Sequence, residues 1–363
     1  SGQDKGNQAL GHFVPVPDKE ELVMFDQKGN IKGTLEVMFH EATHFLIYLS
    51  DPDLLVPRWM NEACAEYYGG SAYEDGKFTP GQVHDGRVLG FISSAKSGKL
   101  ESLEHLLEAG NQTAQAGLQS FPPRFYDQSW LIAHYCMNSK KYRKRWQTYV
   151  EKILERKVKT RAIEASTRKF VEWQEDLALL TSTLKIKDPK AFQKELLKYA
   201  ETMPLRQARG YVQLGEMRLF AGDQAGAREA WENAEASAGD DPDALFALYR
   251  SYSRFVPEKR ALADQYLRRS VELDPLDVRK RYAFSRTLSN PDHMLQQLRI
   301  CYMIEPDQVD VLTDLAWLIF RQKVMSRFKP EGTDEPAAIA EAVKYAERAV
   351  EPVSYTHLRA HET

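Results

Sequence analysis

An acidic residue followed by proline recurs at a nearly constant interval through the C-terminal half of the chain. The pairs Asp241-Pro242, Asp274-Pro275 and Glu305-Pro306 stand 33 and 31 residues apart. Each pair follows a stretch rich in alanine, leucine and aromatic residues, a composition typical of helices. A fixed interval of this length indicates stacked helical units rather than a single globular core.

This pattern resembles the tetratricopeptide repeat, whose period is about 34 residues. We assign three units between about 207 and 306, and a fourth helix pair over 307–323 and 336–350. Several units depart from the repeat consensus, and Asn290-Pro291 falls inside the third. The resemblance implies an all-α solenoid over 206–352, whose concave surface would hold a peptide or a partner protein.

The N-terminal part contains His40-Glu41-Ala42-Thr43-His44. Apolar residues around it recur at three- and four-residue steps from Leu35 to Leu49, which predicts a helix. Histidines four residues apart on a helix point the same way, so both imidazoles can reach one ion. The glutamate beside the first histidine then lies close enough to polarise a metal-bound water. Zinc suits this set, because it binds neutral imidazole and keeps an open position in catalytic sites.

A third ligand is available on a second predicted helix, from about Pro57 to Tyr68, which Gly69-Gly70 ends. Seventeen residues separate His44 from Glu62, enough for the chain to turn and run this helix back beside the first. Glu66 lies one turn beyond Glu62 and faces the same way. Spacing alone leaves both glutamates open as the third ligand.

The HExxH segment followed by Trp59, Glu62, Ala65, Glu66 and Tyr67 resembles the gluzincin metallopeptidases. More narrowly, it is similar to a bacterial peptidase-MA-like family, and the resemblance covers roughly residues 11–155. It implies an α+β catalytic domain, in which strands from 11–25 form a small sheet beside the HExxH helix. It also implies zinc ligation by His40, His44 and Glu62, with Glu66 supporting a ligating histidine. Glu41 would be the general base that takes a proton from a zinc-activated water.

Tyr126 opens the segment Tyr126-Asp127-Gln128-Ser129. In aminopeptidase N relatives, a Tyr-x-x-Gly/Ser segment begins a helix across the site, and its phenol donates to the oxyanion. The resemblance therefore implies a catalytic role for Tyr126. The alternative is a tyrosine at the start of an ordinary helix that covers the core. The Gly-x-Met-Glu-Asn segment, with which those relatives hold a substrate's free amine, is not found in this sequence.

Composition narrows the other classes of function. The formal net charge of −3 gives no electrostatic reason to expect nucleic acid as a partner. No run of 18 apolar residues exists, so the sequence predicts no membrane span. Cys64, Cys136 and Cys301 are far apart and odd in number, which favours free thiols over a disulfide framework.

The predicted organisation is a metallopeptidase domain over 1–155, a helical connection over 156–205 and helical repeats over 206–352. Residues 353–363 are interpreted as an adapter-derived artefact and are left out of the fold prediction. The chain opens without methionine, so export to the periplasm or the cell exterior is an expectation from the resemblance alone.

Two hypotheses follow from these patterns. The first is a zinc-dependent hydrolase that cleaves peptide bonds of a peptide or protein substrate. The second is a non-catalytic scaffold, which binds a protein through the helical repeats and keeps a degenerate metal site. The residue that separates the two is Glu41, because only an enzyme would need it for turnover.

Overall fold

The computed structural model describes residues 11–14, 21–24, 31–50, 56–107, 122–155, 173–326 and 332–350. Contacts divide the chain into two compact units, Ser1–Arg206 and Gln207–Thr363. The segment 353–363, interpreted above as an artefact, lies outside the described residues. In the described segments, no helix is both long and apolar enough to cross a membrane.

The first unit begins with a hairpin against a long helix. Strands β1 (Gly11–Val14) and β2 (Glu21–Met24) pair antiparallel, with Gly11 opposite Met24. Helix α1 (Ile31–Ser50) packs on this hairpin. A Cβ atom at Gly11 would lie 2.7 Å from Cγ1 of Val37 and 3.0 Å from Cγ of Glu41. Only glycine therefore lets β1 approach α1 so closely.

Helix α2 (Arg58–Gly69) returns along α1 and is followed by a second hairpin. Its strands are β3 (Ala72–Glu74) and β4 (Lys77–Thr79). Asp75 and Gly76 in the connecting turn have φ angles of 51° and 76°. Positive φ at both central residues is the geometry that closes a two-residue hairpin.

The described part of this unit also contains five longer helices: α3 (Asp85–Lys96), α4 (Pro123–Asn138), α5 (Arg143–Leu154), α6 (Trp173–Leu184) and α7 (Pro189–Thr202). Helix α4 contacts α2, α3, α5 and α7, so it is the central helix of the unit. Its Trp130 and Leu131 are fully buried, as are Trp59 of α2 and Phe91 of α3. This shared apolar core fixes α2 and α3 against α4.

The predicted α+β class is wrong for this unit. Within the described residues, the strands form two isolated two-stranded sheets of three or four residues a strand, and helices make up the remaining regular structure. Strands β1 and β2 do lie within the predicted 11–25 segment, but they pair only with each other. The physical reason is that the two strands are short. The next described segment has apolar residues at the three- and four-residue spacing of helix α1, so it cannot extend the sheet as a third strand.

The second unit is built of helix pairs. They are α8 (Ala208–Phe220) with α9 (Gln224–Ala238), α10 (Pro242–Phe255) with α11 (Arg260–Leu273), α12 (Val278–Ser285) with α13 (Pro291–Ile304), and α14 (Val309–Ile319) with α15 (Glu335–Val350). A 3₁₀ turn, Pro257–Lys259, precedes α11, and a π-helical segment, Phe320–Met325, continues α14. This helical content is consistent with the all-α repeat part of the prediction.

The acidic–proline pairs lie in the turns between these helices. The Asp241 side chain accepts hydrogen bonds from the backbone N–H groups of Asp243 and Ala244 and so caps α10. Asp274 and Glu305 instead occupy the C-caps of α11 and α13. Asn290 caps α13, which explains an Asn-Pro pair inside the third repeat.

A buried lysine joins three acidic side chains in this unit. Lys280 of α12 is 1% exposed, and its Nζ lies 2.8 Å from Asp243, 2.7 Å from Asp274 and 3.0 Å from Asp277. Burial alone would lower the pKa of Lys280, but the three carboxylates outweigh it and raise that pKa above its ordinary value. The ammonium therefore stays charged and binds the turn before α12 to the first turn of α10.

Candidate metal centre

Helices α1 and α2 bring three side chains together. Nε2 of His40 and Nε2 of His44 are 3.1 Å apart, because four residues make about one helical turn. Oε2 of Glu62 lies 3.6 Å from each of these nitrogens. The three residues form a group that could hold a metal ion, and no second group of this kind occurs among the described residues.

The spacing of these three atoms fits one small ion. In a tetrahedral site with bonds of about 2.0–2.1 Å, neighbouring ligand atoms are about 3.3 Å apart. The observed separations of 3.1, 3.6 and 3.6 Å bracket that value. Two imidazoles and one carboxylate are also the ligand types of a catalytic zinc site with a free fourth position.

Oε2 of Glu62 supports the same reading. It is buried and has no hydrogen-bond partner among the residues that the structure describes. Burial on its own would raise the pKa of Glu62, but the facing His44 and His40 outweigh it and hold that pKa below its ordinary range. A buried, charged oxygen without a donor is costly unless a cation satisfies it.

The two histidines differ in their surroundings. Burial lowers the pKa of His40 below its ordinary value, against the opposing carboxylates of Glu66 and Glu62. Burial acts the same way on His44, but Glu62, Asn61 and Glu41 outweigh it and raise its pKa. Metal ligation needs the neutral imidazole, so acid would compete with an ion for both rings.

The other nitrogen of each ring meets an acceptor. Nδ1 of His44 lies 3.1 Å from Oδ1 of Asn61, and Nδ1 of His40 lies 3.5 Å from Oε1 of Glu66. Donation by Nδ1–H of His44 to Asn61 would leave the Nε2 lone pair of that ring for an ion, and Glu66 lies within ion-pair distance of the His40 ring. The structure thus places Glu62 at the Nε2 atoms and Glu66 behind His40, two positions that spacing alone left open.

Arg87 of α3 holds Glu66 in place. Its Nε and Nη2 donate to the two carboxylate oxygens of Glu66 at 2.7 and 2.6 Å, a bidentate pair. Its Nη1 donates to Asp127 of α4 at 3.0 Å. Burial, partly offset by Arg87, raises the pKa of Asp127 to about 6. One guanidinium therefore connects the helix behind His40 with α3 and α4.

The two residues predicted to be catalytic lie beside this centre. Glu41 is 9% exposed, and its carboxylate acts on the pKa of His44. Tyr126 lies in the first turn of α4, with its ring centroid 5.3 Å from Cζ of Arg87. Burial and the carboxylates of Glu62 and Glu66 raise the pKa of Tyr126 above its ordinary value. Its phenol therefore keeps its proton at neutral pH and can donate it in a hydrogen bond.

The sequence analysis did not predict four of the residues described above, namely Asn61, Arg87, Asp127 and Gly11. Asn61 precedes Glu62, and its place in the HExxH-facing helix is the one pattern that could have indicated it. Arg87 and Asp127 reach the centre only through the packing of α3 and α4 on α2. No local spacing marks them.

Asn61→Ala should weaken zinc binding by about 10- to 100-fold, because the variant frees the His44 ring to turn away from Glu62. Competition with a chromophoric zinc chelator would measure the affinity. The matched control is Asn233→Ala, at an exposed position on α9 in the other unit. Equal zinc affinity of the two variants would show that Asn61 does not orient His44.

His134 of α4 is not part of the group that could hold a metal ion, and both of its ring nitrogens have neighbours within hydrogen-bond distance. The hydroxyl of Tyr199 donates to its Nδ1 at 2.9 Å, and its Nε2 lies 3.2 Å from the carbonyl oxygen of Gly81. Burial lowers the pKa of His134 to about 4. The neutral ring makes both hydrogen bonds, whereas protonation would remove the acceptor that Tyr199 needs.

The free energy of unfolding should fall as pH drops from about 6.5 towards 4. Over this range His134 is protonated in the unfolded chain but stays neutral in the folded chain. Above pH 6.5 the contribution is fully present. Between pH 7.5 and 5 we expect wild type to lose about 2 kcal/mol more than His134→Gln. Urea unfolding at the two pH values, followed by tryptophan fluorescence, checks this. Parallel losses in the two proteins would contradict it.

A scan of the sequence against protein-family models and a search of curated proteins gave no match.

Proposed function

We propose that this chain is a zinc-dependent hydrolase that cleaves peptide bonds. The observation that carries the proposal is the group of His40, His44 and Glu62, in which the buried Oε2 of Glu62 has no hydrogen-bond partner within the described part of the chain. Calcium and magnesium prefer sites made of oxygen ligands alone, so two imidazoles favour zinc. The resemblance of the HExxH segment and of the α2 sequence to gluzincin peptidases supports the choice of peptide bonds.

The residues of the site divide the chemistry among them. When bound, zinc supplies Lewis acidity, which lowers the pKa of water to about 7 and polarises a carbonyl. Glu41 serves as the general base, which accepts the proton of the attacking water and passes it to the leaving amine. Tyr126, whose phenol is protonated at neutral pH, donates a hydrogen bond to the carbonyl oxygen as negative charge develops there. Asn61 and Glu66 orient the two imidazoles.

Elemental analysis of the purified protein tests the metal site. We expect about one zinc per chain after reconstitution at neutral pH, and loss of the metal in His44→Ala. His293→Ala is the matched control, because His293 is exposed on α13 in the second unit. If the reconstituted wild type holds no zinc, the hydrolase proposal is overturned. Zinc without cleavage of any quenched fluorescent peptide in a random library would leave a metal site but no peptidase.

A further inference from the structure

A cleft of about 650 Å³ opens in the second unit, and its lining residues all belong to that unit. It is lined by the end of α12, the start of α13, the second half of α14 and the π-helical segment. The residues that matter below are Arg286, Asp314, Trp317, Arg321 and Met325. Volumes of this order are typical of ligand sites.

The apolar surface of the cleft is open to solvent. Trp317 is 55% exposed and Met325 is 60% exposed, although Leu315 and Ile319 of the same helix are fully buried. Helix α14 therefore has one face in the core and a second apolar face on the cleft. The indole ring of Trp317 has no ring contact or hydrogen bond with any residue that the structure describes. Exposed tryptophan and methionine side chains in one cleft are typical of surfaces that bind a partner.

The cleft also carries one uncompensated positive charge. Asp314 accepts from Arg286 at 2.9 Å and from the hydroxyl of Tyr282 at 2.9 Å, so its charge is balanced. Arg321 is exposed and has no ion pair within the described segments. A guanidinium without a partner favours a carboxylate ligand, which it can bind with two parallel hydrogen bonds.

The backbone at this place is unusual. Phe320–Met325, which carries Arg321 and Met325, is π-helical. Such turns are rare and occur frequently at functional sites, because the wider ring of hydrogen bonds is less favourable than that of an α-helix. This observation is independent of the charge and exposure of the lining side chains.

Spacing along the helix indicates the form of the ligand. Trp317, Arg321 and Met325 follow one another at four-residue steps, so they form a row about two helical turns long, on the order of 10 Å along the helix axis. An extended peptide advances about 3.3 Å per residue and presents every second side chain on one face. Three such side chains, two residues apart, cover about 13 Å. A row of this length can be contacted along its whole extent by an extended peptide but not by a ligand the size of one amino acid.

We propose that this cleft binds an extended acidic peptide of the pattern apolar–x–acidic–x–apolar. The central carboxylate pairs with Arg321, and the apolar side chains cover Trp317 and Met325. The site does not depend on the proposed hydrolase, since its residues all belong to the second unit.

Fluorescence anisotropy with a positional-scanning library tests the proposal. The library consists of fluorescein-labelled heptapeptides, N-acetylated and C-amidated so that no terminal charge contributes. The full chain carries Glu41→Gln throughout, which keeps the peptides intact. We expect Asp or Glu to be selected at the centre and large apolar residues two positions to either side. Lysine at the centre should bind at least tenfold more weakly.

Variants connect the binding to the cleft. Arg321→Glu and Trp317→Ala should each weaken the selected peptide at least tenfold, whereas Arg268→Glu should leave its Kd unchanged. Arg268 is an exposed arginine of α11 that does not line the cleft. Circular dichroism melts would show that all three variants are folded. The proposal is overturned if no acidic peptide is selected, if Arg321→Glu binds like Arg268→Glu, or if an N-acetyl amino acid competes as well as the peptide.

Discussion

Glu41→Gln is expected to lower the turnover of a cleaved peptide by about 100- to 10,000-fold, the range that a positioned general base contributes. The amide has nearly the shape of the carboxylate but cannot accept a proton at neutral pH. The three atoms that would hold the ion belong to other residues, so zinc should remain near one per chain. Steady-state cleavage of a quenched fluorescent peptide, together with elemental analysis of the same samples, measures both quantities.

Glu151→Gln is the matched control for this experiment, because Glu151 is an exposed glutamate of α5 in the same unit. It should keep wild-type turnover and zinc content. A Glu41→Gln protein that cleaves as fast as the control would exclude Glu41 as the general base. If Glu41→Gln loses zinc as well as turnover, Glu41 is needed for metal binding.

Lys280→Met should destabilise the second unit by about 3 kcal/mol, at the lower end of the range for breaking a buried ion pair. Methionine fills the space of the lysine stem but leaves Asp243, Asp274 and Asp277 facing one another without a cation. The cost is moderated because Asp243 and Asp274 keep 43% and 39% of their side chains exposed to water.

Urea unfolding followed by circular dichroism would measure this loss. Lys344→Met provides the comparison, because Lys344 is exposed on α15 of the same unit. The free energy of unfolding should change little in that variant. Equal free energies of unfolding in the two variants would contradict the prediction, because they would show that water alone stabilises the carboxylates around position 280.

The sequence predicted what depends on local geometry. His40 and His44 share a face because four residues make one turn, and the structure places their Nε2 atoms 3.1 Å apart. The same rule put Glu62 and Glu66 on one face and for that reason did not separate their roles. Their separation depends on how α2 lies against α1, which is a tertiary fact.

Other features lay beyond local patterns. Arg87 is 21 residues from Glu66 and 40 from Asp127 along the chain, and no periodicity connects them. The fold class was wrong because two short strands were extended, through a family resemblance, into a sheet-bearing domain. Strands β1 and β2 instead contact α1, and Gly11 is the residue that allows their close approach. The π-helical turn at Phe320–Met325 has no sequence pattern that would have predicted it.

The bidentate ion pair between Arg87 and Glu66 couples ion binding to the packing of the helices, so each affects the other. His40 faces Glu66, Glu66 is fixed by α3, and the same guanidinium reaches α4 through Asp127. By thermodynamic linkage, the free energy by which an oriented His40 strengthens ion binding equals the free energy by which a bound ion stabilises the packing of these three helices. The melting temperature of the first unit should therefore rise with zinc concentration. A change that weakens the packing of α3 should in turn raise the zinc dissociation constant.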